Sequence, residues 1–263
     1  MIGGFILGGV TCVNTPTSLY NSADRQWMMA KLEALKRLNG SDMPLIERKF
    51  FSRSVDCTKV TLEFPLVMKS ELHHNGNGII KIETERDWLE LLNFSNQSNF
   101  TIEPFIEALY DIRVQKIGDH YRAFKRTSLS GSWKISCGQV VLEEIPLPDR
   151  YKKWLVECSR VFDEMDICAL QLLTNSDGKE FVIDAYDSTM PLLGDTQEED
   201  RKLIADVIVD KLKQQCLNSK RATNGSSGKI LKNVKSTSRD QVEDSEDTMR
   251  NLRKTFAGIF GDM

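Results

Sequence analysis

Three groups of side chains have the type and spacing to do chemistry. Lys69 closes the apolar run Phe64-Pro65-Leu66-Val67-Met68, and the Asn75-Gly76-Asn77-Gly78 loop follows it. Such a loop can turn backbone N–H groups toward an anion, with the lysine adding a point charge. An Asn-Gly step is equally a favoured hairpin turn. The second group comes from counting. If Asp177-Gly178 is a two-residue turn, Gln171 faces Asp184 across the hairpin, with Cβ atoms about 4.5–5.5 Å apart. Two opposed oxygen-bearing side chains could share Mg²⁺ or Ca²⁺, or simply form a surface polar pair. The third group is Arg113, Lys116, Arg126 and Lys134, cations from separate segments that suit a triphosphate or a solvated sheet face.

Several reactions lack their signature residues. No GxSxG, HExxH, DFG or GxxxxGK[ST] segment is present, which removes support for hydrolase, zincin, kinase and P-loop chemistry. His73 and His74 lie in the flap loop with no cysteine or third histidine near them in sequence. The six cysteines are scattered without a CxxC pair, so neither a zinc site nor a secreted disulfide framework is indicated, and buried thiols in a reducing cytosol are expected. A net charge of −3 argues against nonspecific nucleic-acid binding.

These groups need a scaffold of alternating strands and helices. Asp24 or Ser22 can cap a helix carrying Met28, Leu32, Leu35 and Leu38. Strands are expected at 64–69, 79–82, 100–106, 111–116, 121–126, 167–173 and 181–185, and helices at 87–92, 151–162 and 198–216. Gly118-Asp119 should turn the 111–126 hairpin. The apolar start, Ile2 to Val10, has no preceding Lys or Arg and is far shorter than the ~20 residues of a membrane span, so a buried piece of core is expected. The whole indicates an α/β or α+β core with antiparallel sheet. Residues 219–244 are rich in Ser, Thr, Asn and Lys and read as a disordered linker. Residues 245–263 regain helical periodicity, with Met249, Leu252, Phe256, Ile259 and Phe260 on one face.

Longer motifs bring in a family. Glu103-Pro104-Phe105-Ile106, Tyr110-Asp111-Ile112-Arg113-Val114-Gln115-Lys116-Ile117-Gly118, Arg126-Thr127-Ser128, Gly131-Ser132-Trp133-Lys134, Asp149-Arg150-Tyr151-Lys152, Asp166-Ile167-Cys168-Ala169 and Met190-Pro191-Leu192-Leu193-Gly194-Asp195 closely resemble synapsin. Residues 247–260 are similar to the C-terminal domain of the longer synapsin isoforms. The resemblance implies an ATP-grasp fold over 24–218, with 1–23 the last piece of an N-terminal α/β subdomain that is otherwise lacking. It implies ATP held by Arg25, Lys69, Gly76, Gly78, Asp111, Arg126 and Lys134, with Glu103, Pro104, Phe105 and Ile106 as adenine hinge. Asp184, with Gln171 as a weaker partner, would ligate Ca²⁺ or Mg²⁺. It further implies a cytoplasmic presynaptic phosphoprotein on synaptic vesicles that binds actin and other synapsin chains and regulates neurotransmitter release. Three positions depart from the family pattern: Glu71 replaces a glycine, Ile79 a lysine and Gln171 a glutamate. The alternative is an ATP-grasp ligase forming an acyl-phosphate, which needs a full set of metal carboxylates.

Overall fold

The computed structural model describes residues 2–52, 60–74, 77–95, 99–135 and 138–224. The expected linker beyond residue 224, the apolar tail helix and the Asn75-Gly76 tip of the flap lie outside these residues. The chain divides into two units, Met1–Leu217 and Asn218–Met263, and the second contributes only the end of one helix to the described residues.

The chain opens with α1 (Ile2–Leu7), α2 (Pro16–Ala23) and α3 (Arg25–Asn39). The apolar start does not enter a core: α1 buries no residue, and Leu7 is 91% exposed. Six residues make too short a helix to present a packing stripe. Between α2 and α3 the chain is set by capping. Asp24 accepts from the N–H groups of Gln26 and Trp27, at 2.9 and 3.0 Å, and so caps α3. Ser22 instead donates to the Asp187 carboxylate. At the far end Gly40 takes the left-handed conformation and donates its N–H to the Lys36 carbonyl, closing α3. Met28, Met29 and Leu32 face the core, but Leu38, expected among them, is exposed.

A four-stranded sheet follows, ordered β1 (Lys49–Phe51), β4 (Phe100–Pro104), β2 (Leu66–His74), β3 (Asn77–Ile82), with α4 (Glu85–Ser95) against it. Alternation divides its strands. Phe51, Leu66, Met68, Ile82, Phe100 and Ile102 pack with Trp88 and Leu92 of α4, and the Phe51 and Phe100 rings stack 5.3 Å apart. The residues between them, Val67, Lys69, Thr101 and Glu103, belong to the opposite face.

The second sheet is fully antiparallel, ordered β7 (Val140–Ile145), β6 (His120–Ser128), β5 (Ala108–Ile117), β8 (Ile167–Asn175), β9 (Glu180–Tyr186). Strand β7 was not expected, since its apolar stretch is only Val140-Val141-Leu142, followed by Glu143-Glu144, and the strand lies at the sheet edge. One face carries Ile112, Val114, Ala123, Cys168, Leu170, Leu172 and Val182 and is covered by α3 and α5 (Asp149–Val161). The other face is shared. Its lower part, Ile117, Ile167 and Ala169, meets Leu203, Ile204 and Val207 of α6 (Gln197–Asn224). Its upper part is polar and open. Helix α6 continues eight residues past Cys216, into the stretch expected as linker.

Candidate functional site

Strand parity puts the polar residues in rows. On β5, Asp111, Arg113 and Gln115 share one face while Lys116 points to the other and donates to the Met165 carbonyl at 2.5 Å. Lys116 therefore leaves the basic group proposed from sequence. Asp111 pairs with Arg126 of β6, and Arg113 with Gln171 of β8, which in turn pairs with Asp184 of β9. Four strands thus contribute to one polar surface.

The Gln171–Asp184 pairing was expected, but for a different reason. Near the turn Thr174 pairs with Glu180, so the loop is Ser176-Asp177-Gly178 within an Asn175–Lys179 closure, not a two-residue turn. Gly178 has φ 74°, the left-handed residue such a three-residue loop requires. A register shift between Gln171 and Leu172 then leaves Ile183 as an extra residue on β9 and restores the expected pair. The bulge also turns the Ile183 carbonyl out of the ladder, where it accepts from Lys69 Nζ at 3.0 Å and Arg48 Nη2 at 3.2 Å. The lysine of the first sheet is thereby tied to the second.

A cavity of about 400 Å³ lies between the two sheets. It brings together Arg25, Lys69, Glu103, Pro104, Phe105, Ile106, Asp111, Arg126, Lys134, Gln171 and Asp184. Of the site residues expected from sequence, Gly78 does not line it, and Gly76 lies outside the described residues. Lys69 is ion-paired with Glu103 at 2.8 Å, and Arg48 reaches the same carboxylate at 2.7 Å. Glu103, read as a hinge residue, is thus the buried counter-ion of the first sheet. Pro104, Phe105 and Ile106 continue along the rim, where Phe105 meets Trp133 edge-on at 6.1 Å. Asp111 is fully buried and binds Arg126 through both oxygens at 2.6 Å, while its Oδ2 also accepts from Gln171 Nε2 at 3.0 Å. Burial pushes the Asp111 carboxyl up, and Arg126 pulls against it. Asp111 orients Arg126 from behind.

One residue of the site, Tyr186, was not singled out from sequence, and Arg113 was read there only as one of a set of cations that could suit a triphosphate. Tyr186 donates its O–H to Gln171 Oε1 at 2.8 Å, and its ring is sandwiched between the guanidiniums of Arg25 (4.2 Å) and Arg113 (4.1 Å). Burial, then the neighbouring Asp184 charge, raises the Tyr186 phenol and keeps it neutral. Arg113 is 2% exposed, and its Nε and Nη1 have no hydrogen-bond partner among the described residues. Burial brings its guanidinium down to about 10, still charged at neutral pH. Its place beside Asp111 in strand parity was the available signal.

Arg25 donates to Asp184 Oδ1 at 3.1 Å and to the Ala185 carbonyl. The same Asp184 oxygen accepts the Ala185 N–H at 2.9 Å. The two expected metal positions therefore supply one carboxylate already paired with a guanidinium and one neutral amide held at both ends. Divalent cations of this kind take about six or more oxygens, with carboxylates providing the charge. The donor set does not fit one, and no group of three or more His, Cys, Asp or Glu side chains that could hold a metal is gathered among the described residues.

A family model described as "Synapsin, ATP binding domain" matches residues 14–214. The synapsin of Drosophila melanogaster is 31% identical over 361 aligned positions, covering 99% of this chain and 35% of that protein. The chain thus spans about a third of that relative's length. A probable alpha-L-glutamate ligase 2 of Hahella chejuensis is 24% identical, covering 81% of this chain and 70% of that one. Among solved structures, D-alanine–D-alanine ligase from Bacillus anthracis complexed with ATP superposes with a TM-score of 0.59 at 14% identity, over 81% of this chain and 75% of that chain. The ATP-grasp ligase PsnB gives 0.57 at 14% identity, over 78% and 65%. The architecture is that of the ATP-grasp fold.

Proposed function

The chain belongs to the synapsin family, and from that premise we propose that it binds ATP in the cavity between its two sheets. One observation carries the reading: Arg25, Lys69, Arg113, Arg126 and Lys134 converge on a cavity whose rim is the apolar Pro104–Ile106 segment. The cations suit the phosphates, and the rim suits a base. Because the Phe105 N–H is donated to the Pro65 carbonyl at 3.1 Å, base recognition falls to the other backbone groups of the hinge and to the Phe105–Trp133 aromatic pair.

Family membership also supports a regulatory role at the presynaptic vesicle surface, through vesicle clustering, actin attachment and contact with other synapsin chains in the cytoplasm. No helix among the described residues is long and apolar enough to cross a membrane. The ligase reading draws on the Hahella chejuensis relative. It requires metal carboxylates that Gln171 and the Arg25-paired Asp184 do not supply.

Calorimetry of ATP binding tests the proposal. Lys69→Ala and Lys134→Ala should each weaken binding tenfold or more, given about 1.5–3 kcal/mol for a charge-assisted contact. Unchanged affinity in both variants would overturn the site. Turnover of ATP with amine acceptors would favour the ligase.

A further inference from the structure

We propose that this site takes its nucleotide as the metal-free polyanion, with the Arg25 guanidinium standing where a divalent cation would meet Asp184 and with Arg113 offering its unpartnered N–H groups to the phosphates. The inference deepens the nucleotide reading and rests on it.

The charge balance points this way. Five cationic side chains line the cavity against three carboxylates, Glu103, Asp111 and Asp184, an excess of two positive charges before any metal arrives. Each carboxylate is already engaged by a cation: Glu103 by Lys69 and Arg48, Asp111 by Arg126, and Asp184 by Arg25. A dication entering here would add repulsion and find no unengaged carboxylate to repay its dehydration.

The position of Arg25 is itself built. It is the first residue of α3, directly after the Asp24 cap, so the helix start fixes where its side chain leaves the backbone. Its guanidinium is then held by the Asp184 carboxylate, the Ala185 carbonyl and the Tyr186 ring. On the far side of that ring lies Arg113, nearly fully buried, with Nε and Nη1 lacking partners among the described residues. Burial, and after it the Arg126 charge, oppose the Arg113 guanidinium, while Asp184 and Asp111 favour it; its buried N–H groups that meet no acceptor among the described residues add a further cost. A triphosphate relieves that cost; a cation increases it. The Tyr186 hydroxyl meanwhile occupies Gln171 Oε1, the other oxygen a metal would need.

Calorimetry of the full chain with the sodium salt of ATP distinguishes the possibilities, in EDTA and in excess Mg²⁺ or Ca²⁺. Affinity in EDTA should lie within about threefold of that with either cation, and a loss of about tenfold or more on chelation overturns the proposal. Arg25→Met releases the Asp184 carboxylate from its guanidinium. That variant should bind ATP at least about tenfold more weakly in EDTA and recover part of the loss with Mg²⁺ or Ca²⁺. Undiminished binding by the variant in EDTA also overturns it. Binding that requires a cation sinks this inference and leaves ATP binding standing, whereas no binding under any condition sinks both. The comparison on the native chain decides even if the variant fails to fold.

Discussion

Asp111 shows how much one side chain can hold in place. It sits between Arg126, bound at both oxygens, and Gln171, whose amide donates to it. Asp111→Ala leaves the Arg126 charge buried without its partner, a change that costs about 3–5 kcal/mol in comparable buried pairs. The midpoint of urea unfolding should fall accordingly, with the slope unchanged. Replacing both residues, Asp111→Leu with Arg126→Leu, should recover most of that stability, because no uncompensated charge remains. The double variant should nonetheless bind ATP poorly. If it binds as well as the native chain, Arg126 is a structural cation and not a phosphate ligand.

At the level of elements, two turns with left-handed glycines have different consequences. Gly118 (φ 59°) turns β5 into β6, and Gly178 (φ 74°) closes the β8–β9 loop. A Cβ at either position meets the penalty of the left-handed region, about 1–2 kcal/mol for an L-residue. At Gly178 the added atom has open space, whereas at Gly118 it would lie 2.8 Å from Val207 Cγ2 on α6. Gly118→Ala should therefore be the more destabilising substitution in chemical denaturation. It should also loosen the contact of α6 with the sheet, read as faster amide exchange in Ile204 and Val207. Equal losses for the two glycines would mean that α6 yields without cost. The same helix is anchored near its start by Asp200, which is fully buried and accepts from Gln115 Nε2 at 2.7 Å.

For the whole molecule, Lys69 and Arg48 reach from the first sheet to the Ile183 carbonyl of the second, across the cavity. A ligand touching both sheets should then stabilise the fold as a unit. ATP at about 100 times its dissociation constant should add about 2.7 kcal/mol, if it binds the folded chain alone. Unfolding in urea with and without ATP measures this directly. Lys134→Ala, with its affinity weakened about tenfold, should show only about half of the increase at the same ATP concentration, about 1.4 kcal/mol. An ATP-induced shift of full size in that variant would place the nucleotide elsewhere.

Much of this site was legible in the sequence, because strand parity and short turns are local properties. Gly118-Asp119 set the β5–β6 register, which pairs Asp111 with Arg126, whereas Lys116, grouped with these cations from sequence, falls on the other face by strand alternation. The motif from Glu103 to Gly118 carried the family, and the loop-borne Lys134 reached the cavity as expected. Packing decided the rest. The loop around Gly178 is one residue longer than its sequence suggested, and the bulge at Ile183 compensates, next to the bridge that Val182 makes to Leu45 at the sheet edge. Nothing local says that Arg25 will pair with Asp184, since the two are 159 residues apart and meet only when α3 packs beside β9. The pairings of Lys69 with Glu103 and of Arg25 and Arg113 with Tyr186 arise in the same way. Residue types and alternation determine which charges face the cavity; which of them neutralise each other, and so whether an anion or a cation is welcome there, depends on distances that only the folded chain sets.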